Sequence, residues 1–205
     1  MTIFLNELRH IEIQKDRMRF RKNIERIGGL MAYEISKKLD YRPVEIDTPL
    51  GTCESVRVAD QPVVATVLRA GLPLQTGMLS VFDRADSAFI SAYRKHHSNE
   101  DFEIMVEYAS CPDLEDRTLI LTDAMLATGQ SMVLSYEMLV KQFGEPSKVH
   151  FVSVIASAEG VEYLEEHAPA NADIWLGAVD QEMTAQAYIV PGLGDAGDLC
   201  YGEKG

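Results

Sequence analysis

Between residues 63 and 179 the chain alternates short continuous apolar runs, loops bearing glycine or aspartate, and segments of helical periodicity. No other feature constrains its fold as strongly. The runs are Val63–Leu68, Ala88–Ala92, Thr118–Thr122, Val149–Ile155 and Ile174–Val179, and helical spacing follows at Leu72–Phe82, Ser131–Phe143 and Ala158–Glu166. A strand apolar at every position must be covered on both faces, and helices between such strands supply the cover. The expected fold is therefore α/β, with a mostly parallel central sheet flanked by helices. Sheets of this kind bind ligands beyond the C-terminal ends of their strands, so the loops after the runs are where function is to be sought.

Ahead of the sheet, Met18, Ile24, Ile27, Leu30, Met31, Ile35 and Leu39 recur at three- and four-residue steps, which predicts an amphipathic helix from about Lys15 to Leu39. Gly28 and Gly29 are expected to weaken or bend its middle. After Pro43, VEIDTPLGTCESVRV alternates apolar and polar residues around a TPLG turn and reads as an antiparallel hairpin. The stretch Lys95–Glu115 is polar and non-periodic, as expected of a flexible arm or lid. With 205 residues, one domain is expected, residues 1–60 forming its N-terminal helix and hairpin.

The formal net charge is −13, which argues against a general binder of nucleic acid or anionic membrane. Basic groups concentrate locally in Lys15–Lys22, KDRMRFRK, with five cations and one acid. Such a cluster reads as a solvated helix face or subunit contact, or alternatively as an RNA-contacting arm. Cys53, Cys111 and Cys200 are far apart and lack metal-ligand spacing, so neither a disulfide framework nor a zinc site is expected. The N-terminus reaches charge too soon for a signal-peptide core, and no window approaches 18 apolar residues. A cytoplasmic protein is expected.

The segment TLILTDAMLATGQS, Thr118–Ser131, places an acid at the end of a buried strand, then a small-residue loop, then a helix. Ala127, Thr128 and Gly129 let backbone N–H groups close around an anion, and the helix N-terminus adds partial positive charge. Thr128 and Ser131 can add hydroxyl donors, and Asp123 can accept from sugar hydroxyls. The loop lacks the Lys of a Walker A motif and the GxGxxG of a dinucleotide fold. Taken alone, Asp123 and Thr128 could equally be helix caps.

LILTDAMLATGQS is similar to the phosphoribosyl-pyrophosphate loop of type I phosphoribosyltransferases, in the form found in uracil phosphoribosyltransferases. TVLRAGL (Thr66–Leu72) resembles that family's PILRAGL, and YIVPGLGDAGD (Tyr188–Asp198) resembles its C-terminal uracil loop. The resemblance implies the type I phosphoribosyltransferase fold, with a C-terminal base-binding hood at residues 180–205. It implies conversion of uracil and phosphoribosyl pyrophosphate to UMP and diphosphate in pyrimidine salvage. By matching positions, phosphoribosyl pyrophosphate would be held by Arg69, Arg94, Asp123, Ala124, Met125, Leu126, Ala127, Thr128, Gly129, Gln130, Ser131 and Asp195. Uracil would be held by Ile189, Gly194, Asp195 and Ala196, mainly through the main chain. Asp123, Arg69, Arg94 and Asp195 are the implied catalytic set. Magnesium is expected as cofactor, on the diphosphate rather than on the protein alone. A homodimer or higher homo-oligomer is expected, and some relatives respond to GTP as an effector.

Read alone, Arg69 is a surface ion-pair residue, and the C-terminal segment, with three glycines and one proline in eleven residues, is expected to be neither helix nor regular strand. Gln130 stands where the family has Gly, Ala124 where uracil enzymes have Pro, and KHHSNEDFEIMVEYAS departs from the family's acidic, proline-containing arm. His96, His97 and Asp101 in that arm read as solvated rather than metal-binding, and AVDQEMT before the uracil loop as structural. Two rival functions share the fold: a pyrimidine-responsive RNA-binding regulator, and a phosphoribosyltransferase of different base specificity.

Overall fold

The computed structural model describes residues 1–96 and 102–203, with the backbone alone for residues 92–96 and 102–107. Two helices open the chain, α1 (Thr2–Arg9) and α2 (Arg17–Ser36), followed by the antiparallel hairpin β1 (Tyr41–Thr48) and β2 (Gly51–Val58) in the expected register about the TPLG turn. The sheet then forms from β3 (Val63–Leu68), β4 (Asp86–His96), β5 (Phe102–Ser110), β6 (Thr118–Leu126), β7 (Lys148–Ser157), β8 (Ala172–Leu176) and β9 (Val179–Asp180). Helices α3 (Gly71–Leu79), α4 (Gln130–Phe143) and α5 (Ala158–His167) connect them. A small hood closes the chain, made of β10 (Glu182–Met183), β11 (Ile189–Val190) and α6 (Ala196–Tyr201).

Spatial order in the sheet is β5-β4-β3-β6-β7-β8, with β9 also on β7. Every pairing is parallel except β4 with β5. The period of two sorts the strand residues onto two cores. Val64 of β3 joins Ile24, Ile27, Met31, Leu74 and Met78 on the side of α2 and α3. Val63, Ala65 and Val67 join Met132, Leu139 and Leu164 on the side of α4 and α5. The expected doubly covered sheet is what forms.

Three expectations are corrected, and one helix goes unannounced. Helix α2 runs unbroken through Gly28 and Gly29, because the glycines serve packing rather than bending. A Cβ on Gly28 would strike the carbonyl oxygen of Leu74, and one on Gly77 would strike that of Glu25, so α2 and α3 touch backbone to backbone. Helix α1 was not legible, since eight residues hold too few periods. The arm contains a strand: β5 pairs antiparallel with β4 from Phe89↔Ser110 to His96↔Phe102, around an irregularity at Ser91/Ala92. An edge strand is paired on one side only, so polar residues are tolerated and mask the pattern; residues 97–101 lie outside the described residues. Finally, the C-terminal segment does contain helix, because Asp195 caps α6 by accepting the N–H of Asp198 at 2.9 Å.

Candidate active site

Strand β6 runs four residues beyond Thr122, pairing Asp123 with Ser153 and Leu126 with Ala156 of β7. Asp123 therefore stands within the strand's last turns of pleat rather than at its end. Its Oδ1 lies 3.5 Å from the backbone nitrogen of Met125, at the outer limit of a hydrogen bond. Beyond Leu126 the chain turns through Ala127–Gly129 into α4. Gly129, in the left-handed region at φ +77°, makes that turn. No acceptor among the described residues takes the N–H of Thr128 or Gly129, and the first N–H groups of α4 have no partner within a helix by construction. Together they form an anion cradle.

Parallel strand ends bring three further parts to the same place. Arg69 follows β3 across a cis Leu68–Arg69 peptide, with Ala70 and the start of α3 behind it. Ser91 lies where β4 meets the irregularity. The hood descends from the other side with Ala187, Tyr188, Gly194, Asp195 and Ala196. Between them is a cavity of about 750 Å³, large enough for a ligand of nucleotide size.

Of the residues singled out in the sequence, the cavity brings together Arg69, Asp123, Met125, Leu126, Ala127, Thr128, Gly129, Ser131, Gly194, Asp195 and Ala196. Three do not line it. Ala124 is buried in the α2-side core, since alternation along β6 turns its side chain away from its neighbours. Gln130 begins α4, and its side chain is not part of the lining. Ile189 is packed in the core beneath the hood, where its strand pairs with Met183. Arg94 has its backbone on β4 opposite Ile104; its side chain, with His96, lies outside the described side chains, and His97 and Asp101 outside the described residues.

Sequence reasoning missed Tyr188, Ala187 and Ser91 as lining residues and the contacts that hold the hood. Arg69 donates to Asp198 at 2.8 Å and to the Gly202 carbonyl at 3.2 Å. Arg9 of α1 grips Asp180 with both terminal nitrogens, at 2.7 and 2.8 Å, and also reaches the Gly192 carbonyl at 3.1 Å. The Gly192 N–H donates to the same carboxylate at 2.9 Å. The Arg9 hydrogen bonds hold the Asp180 carboxyl below the usual carboxylate range. These partners are 171 residues apart, so no local signal points to them.

Four of the five cations in the basic cluster have partners within the chain. Lys15 pairs with Glu12, Arg19 with Glu7 and Lys22 with Glu25, while Arg21 donates to the Cys200 carbonyl at 2.6 Å. Of these, Arg19 joins α2 to α1 and Arg21 joins α2 to α6, while the Lys15 and Lys22 pairs are local and solvent-exposed. Among the described residues no group of three or more His, Cys, Asp or Glu side chains converges to hold a metal, and no helix is long and apolar enough to cross a membrane.

Comparison with known proteins agrees with this geometry. Residues 3–203 match the family model described as uracil phosphoribosyltransferase. The chain is 50% identical over 201 residues to a uracil phosphoribosyltransferase of Porphyromonas gingivalis, covering 98% of this chain and 93% of that protein. It is 37% identical over 202 residues to one from Pyrococcus furiosus, covering 97% and 84% respectively. Among solved structures, the AQ2163 protein from Aquifex aeolicus superposes with a TM-score of 0.87 at 29% identity, covering 98% of this chain and 93% of that one. A purine phosphoribosyltransferase from Pyrococcus horikoshii, at TM-score 0.51 and 11% identity, shares the type I phosphoribosyltransferase fold alone. With its sheet-edge cavity, its anion cradle on β6 and its closing hood, the chain belongs to the uracil phosphoribosyltransferase family.

Proposed function

We propose that the chain transfers the phosphoribosyl group of phosphoribosyl pyrophosphate to uracil, giving UMP and diphosphate in pyrimidine salvage. The observation that carries this reading is one cavity walled by a backbone anion cradle, an acidic strand residue, an arginine and a main-chain hood. The amides of Thr128 to Ser131 take the 5-phosphate, with the hydroxyls of Thr128 and Ser131 as further donors. Asp123 accepts from the ribose hydroxyls. Arg69, joined by Arg94, takes the diphosphate, for which the planar guanidinium is suited.

Bond breaking at the anomeric carbon builds positive charge on the sugar while negative charge gathers on the departing diphosphate. The bond from that carbon to oxygen breaks, a bond to a uracil nitrogen forms, and that nitrogen gives up its proton. Arg69 stabilises the leaving group, and no side-chain nucleophile is needed. Among the described residues, the carboxylates that line the cavity are Asp123 and Asp195. Magnesium, bound to the substrate's diphosphate, would supply neutralisation of its charge. The hood recognises uracil through carbonyls and amides near Gly194 and Ala196, whose polarity no rotamer can invert.

A cytoplasmic homo-oligomer is part of the same reading. Hairpin β1–β2 stands away from the sheet with Leu50 99% exposed at its tip and Ile46 and Val56 exposed along it. A lone two-stranded ribbon is marginal in water, and a second copy of the chain would cover its apolar residues.

The deciding assay incubates purified protein with labelled uracil and phosphoribosyl pyrophosphate, with and without magnesium, and with GTP added separately as a test of activation. UMP should form, 5-fluorouracil should react with similar efficiency, and cytosine should be rejected by about 10⁴ or more, because its edge would leave the hood's polar groups unpaired. Turnover of cytosine or a purine in preference to uracil would overturn the reading.

A further inference from the structure

An anion cradle made of backbone needs its carbonyls turned away, and a buried carbonyl turned away needs a partner of its own. In this loop the partner is a side chain from another element. Ser157, wholly buried at the junction of β7 and α5, donates its hydroxyl to the Ala127 carbonyl at 2.6 Å. The Ser157 hydroxyl oxygen in turn accepts the Gly160 N–H at 2.8 Å. Gly160 completes the seat: a Cβ there would collide with the Ala127 carbonyl oxygen and come within 2.7 Å of that of Leu126, so the corner of α5 lies directly beneath the loop.

The consequence follows from peptide geometry. In a trans peptide the carbonyl and the following N–H point in opposite directions. With the Ala127 carbonyl drawn toward Ser157, the Thr128 N–H is directed the other way, and both residues border the cavity. A flip of this one peptide would reverse that polarity, presenting a carbonyl oxygen where a phosphate must sit. Such a flip would turn ψ of Ala127 and φ of Thr128 and leave the rest of the loop in place.

We infer that Ser157 is a positioning residue, whose hydroxyl fixes the Ala127–Thr128 peptide so that the loop offers N–H rather than C=O to the phosphate of phosphoribosyl pyrophosphate. It touches no substrate and acts through the loop. The inference rests on the phosphoribosyl reading given above, and it concerns the monophosphate end of the substrate rather than the diphosphate or the base.

The test compares the parent with Ser157→Ala and Ser157→Thr, measuring binding of phosphoribosyl pyrophosphate and ribose 5-phosphate by calorimetry and steady-state kinetics for both substrates. Ser157→Ala should weaken both phosphoribosyl ligands about tenfold and raise the KM for phosphoribosyl pyrophosphate by a similar factor, leaving the KM for uracil within twofold. Ser157→Thr, which keeps the hydroxyl, should restore binding to within about threefold. Ser157 also caps α5. A purely structural loss would lower kcat through the fraction folded and leave both KM values unmoved, and that pattern overturns the inference. So does a Ser157→Ala protein that binds both ligands within twofold of the parent. Should Ser157→Ala not fold, Ser157→Cys supplies the same contrast, its weak S–H donor predicting the tenfold loss that Ser157→Thr escapes. A parent that binds neither ligand removes the phosphoribosyl reading itself, an outcome separate from any comparison between variants.

Discussion

Arg69 and Asp198 join the two halves of the cavity: the guanidinium that follows β3 meets the carboxylate in the first turn of α6 at 2.8 Å. One of the same arginine's nitrogens also reaches the carbonyl of Gly202, 3.2 Å away. The arginine proposed to take the diphosphate is thus held by the hood proposed to take the base. Gly197 between them leaves no slack, since a Cβ there would lie 3.1 Å from Asp195 Oδ1 and 3.2 Å from Arg69 Nη2. Asp198→Asn keeps the shape and removes the charge. Both side chains are about one-third exposed, so folding stability should change by about 0–1 kcal/mol. Catalysis should suffer more, because the arginine's aim is lost, and kcat/KM should fall roughly tenfold, equivalent to about 1.4 kcal/mol. Steady-state kinetics beside thermal denaturation checks the split; equal losses in both would mean the pair serves folding only.

Gly129 is required for its backbone and for what lies behind it. A Cβ would come within 2.8 Å of the Gly160 carbonyl oxygen and 2.9 Å of the Tyr163 ring, so a side chain here collides with α5. The left-handed conformation adds about 1–2 kcal/mol for any residue with a Cβ. Gly129→Ala should therefore distort the cradle and reduce affinity for phosphoribosyl pyrophosphate at least tenfold in calorimetry, while uracil loop residues keep their fold. Unchanged affinity would place the phosphate elsewhere.

His150 gives the protein an acid sensitivity unrelated to catalysis. Its ring is wholly buried, Nδ1 accepts the Trp175 indole N–H at 3.1 Å, and Nε2 has no partner among the described residues. Burial pushes its pKa down to about 4, against the opposing pull of Asp173. An unfolded histidine titrates near 6.5, so between about pH 6.5 and 4 the unfolded state takes up a proton that the folded state refuses. Stability is full above 6.5 and falls as pH drops through that window, by up to about 3 kcal/mol. His150→Asn retains an acceptor for Trp175 without the titration, and its melting temperature should decline less between pH 6.5 and 4 than the parent's. Parallel declines would assign the acid sensitivity to other groups.

The exposed hairpin predicts association. Leu50→Glu combined with Val56→Glu places charge on the apolar ribbon, and sedimentation should show a smaller species than the parent at equal concentration. A parent already monomeric at high micromolar concentration would remove the oligomer from the reading.

Legibility in the sequence tracked the range of the interactions involved. The five apolar runs of the sheet announced themselves, because a strand buried on both faces is apolar at every position; so did the cradle, whose small residues and following helix are contiguous. The edge strand β5 did not, since its half-covered position leaves a mixed composition, and α1 was too short to show a period. The Arg9–Asp180 clamp was invisible because it forms only after the sheet has brought the chain's ends together. Ala124 and Ile189 were assigned to the site through family resemblance, Ile189 for its main chain; their side chains, which the resemblance does not orient, are buried in the core. Ser157 falls in the gap between the run ending at Ile155 and the helical segment beginning at Ala158, where a hydroxyl just ahead of a helix is a capping signal.

The glycine contact between α2 and α3 acts as a fulcrum. Helix α3 starts immediately after Arg69, and α2 carries Arg21, whose bond to the Cys200 carbonyl holds α6. The two helices therefore support opposite jaws of the cavity, and they meet where Gly28 lies against Leu74 and Gly77 against Glu25. A single methyl at either glycine would pry the helix axes apart and swing the hood away from the strand ends. The aperture that admits the substrates is in this way calibrated by two residues that no substrate reaches.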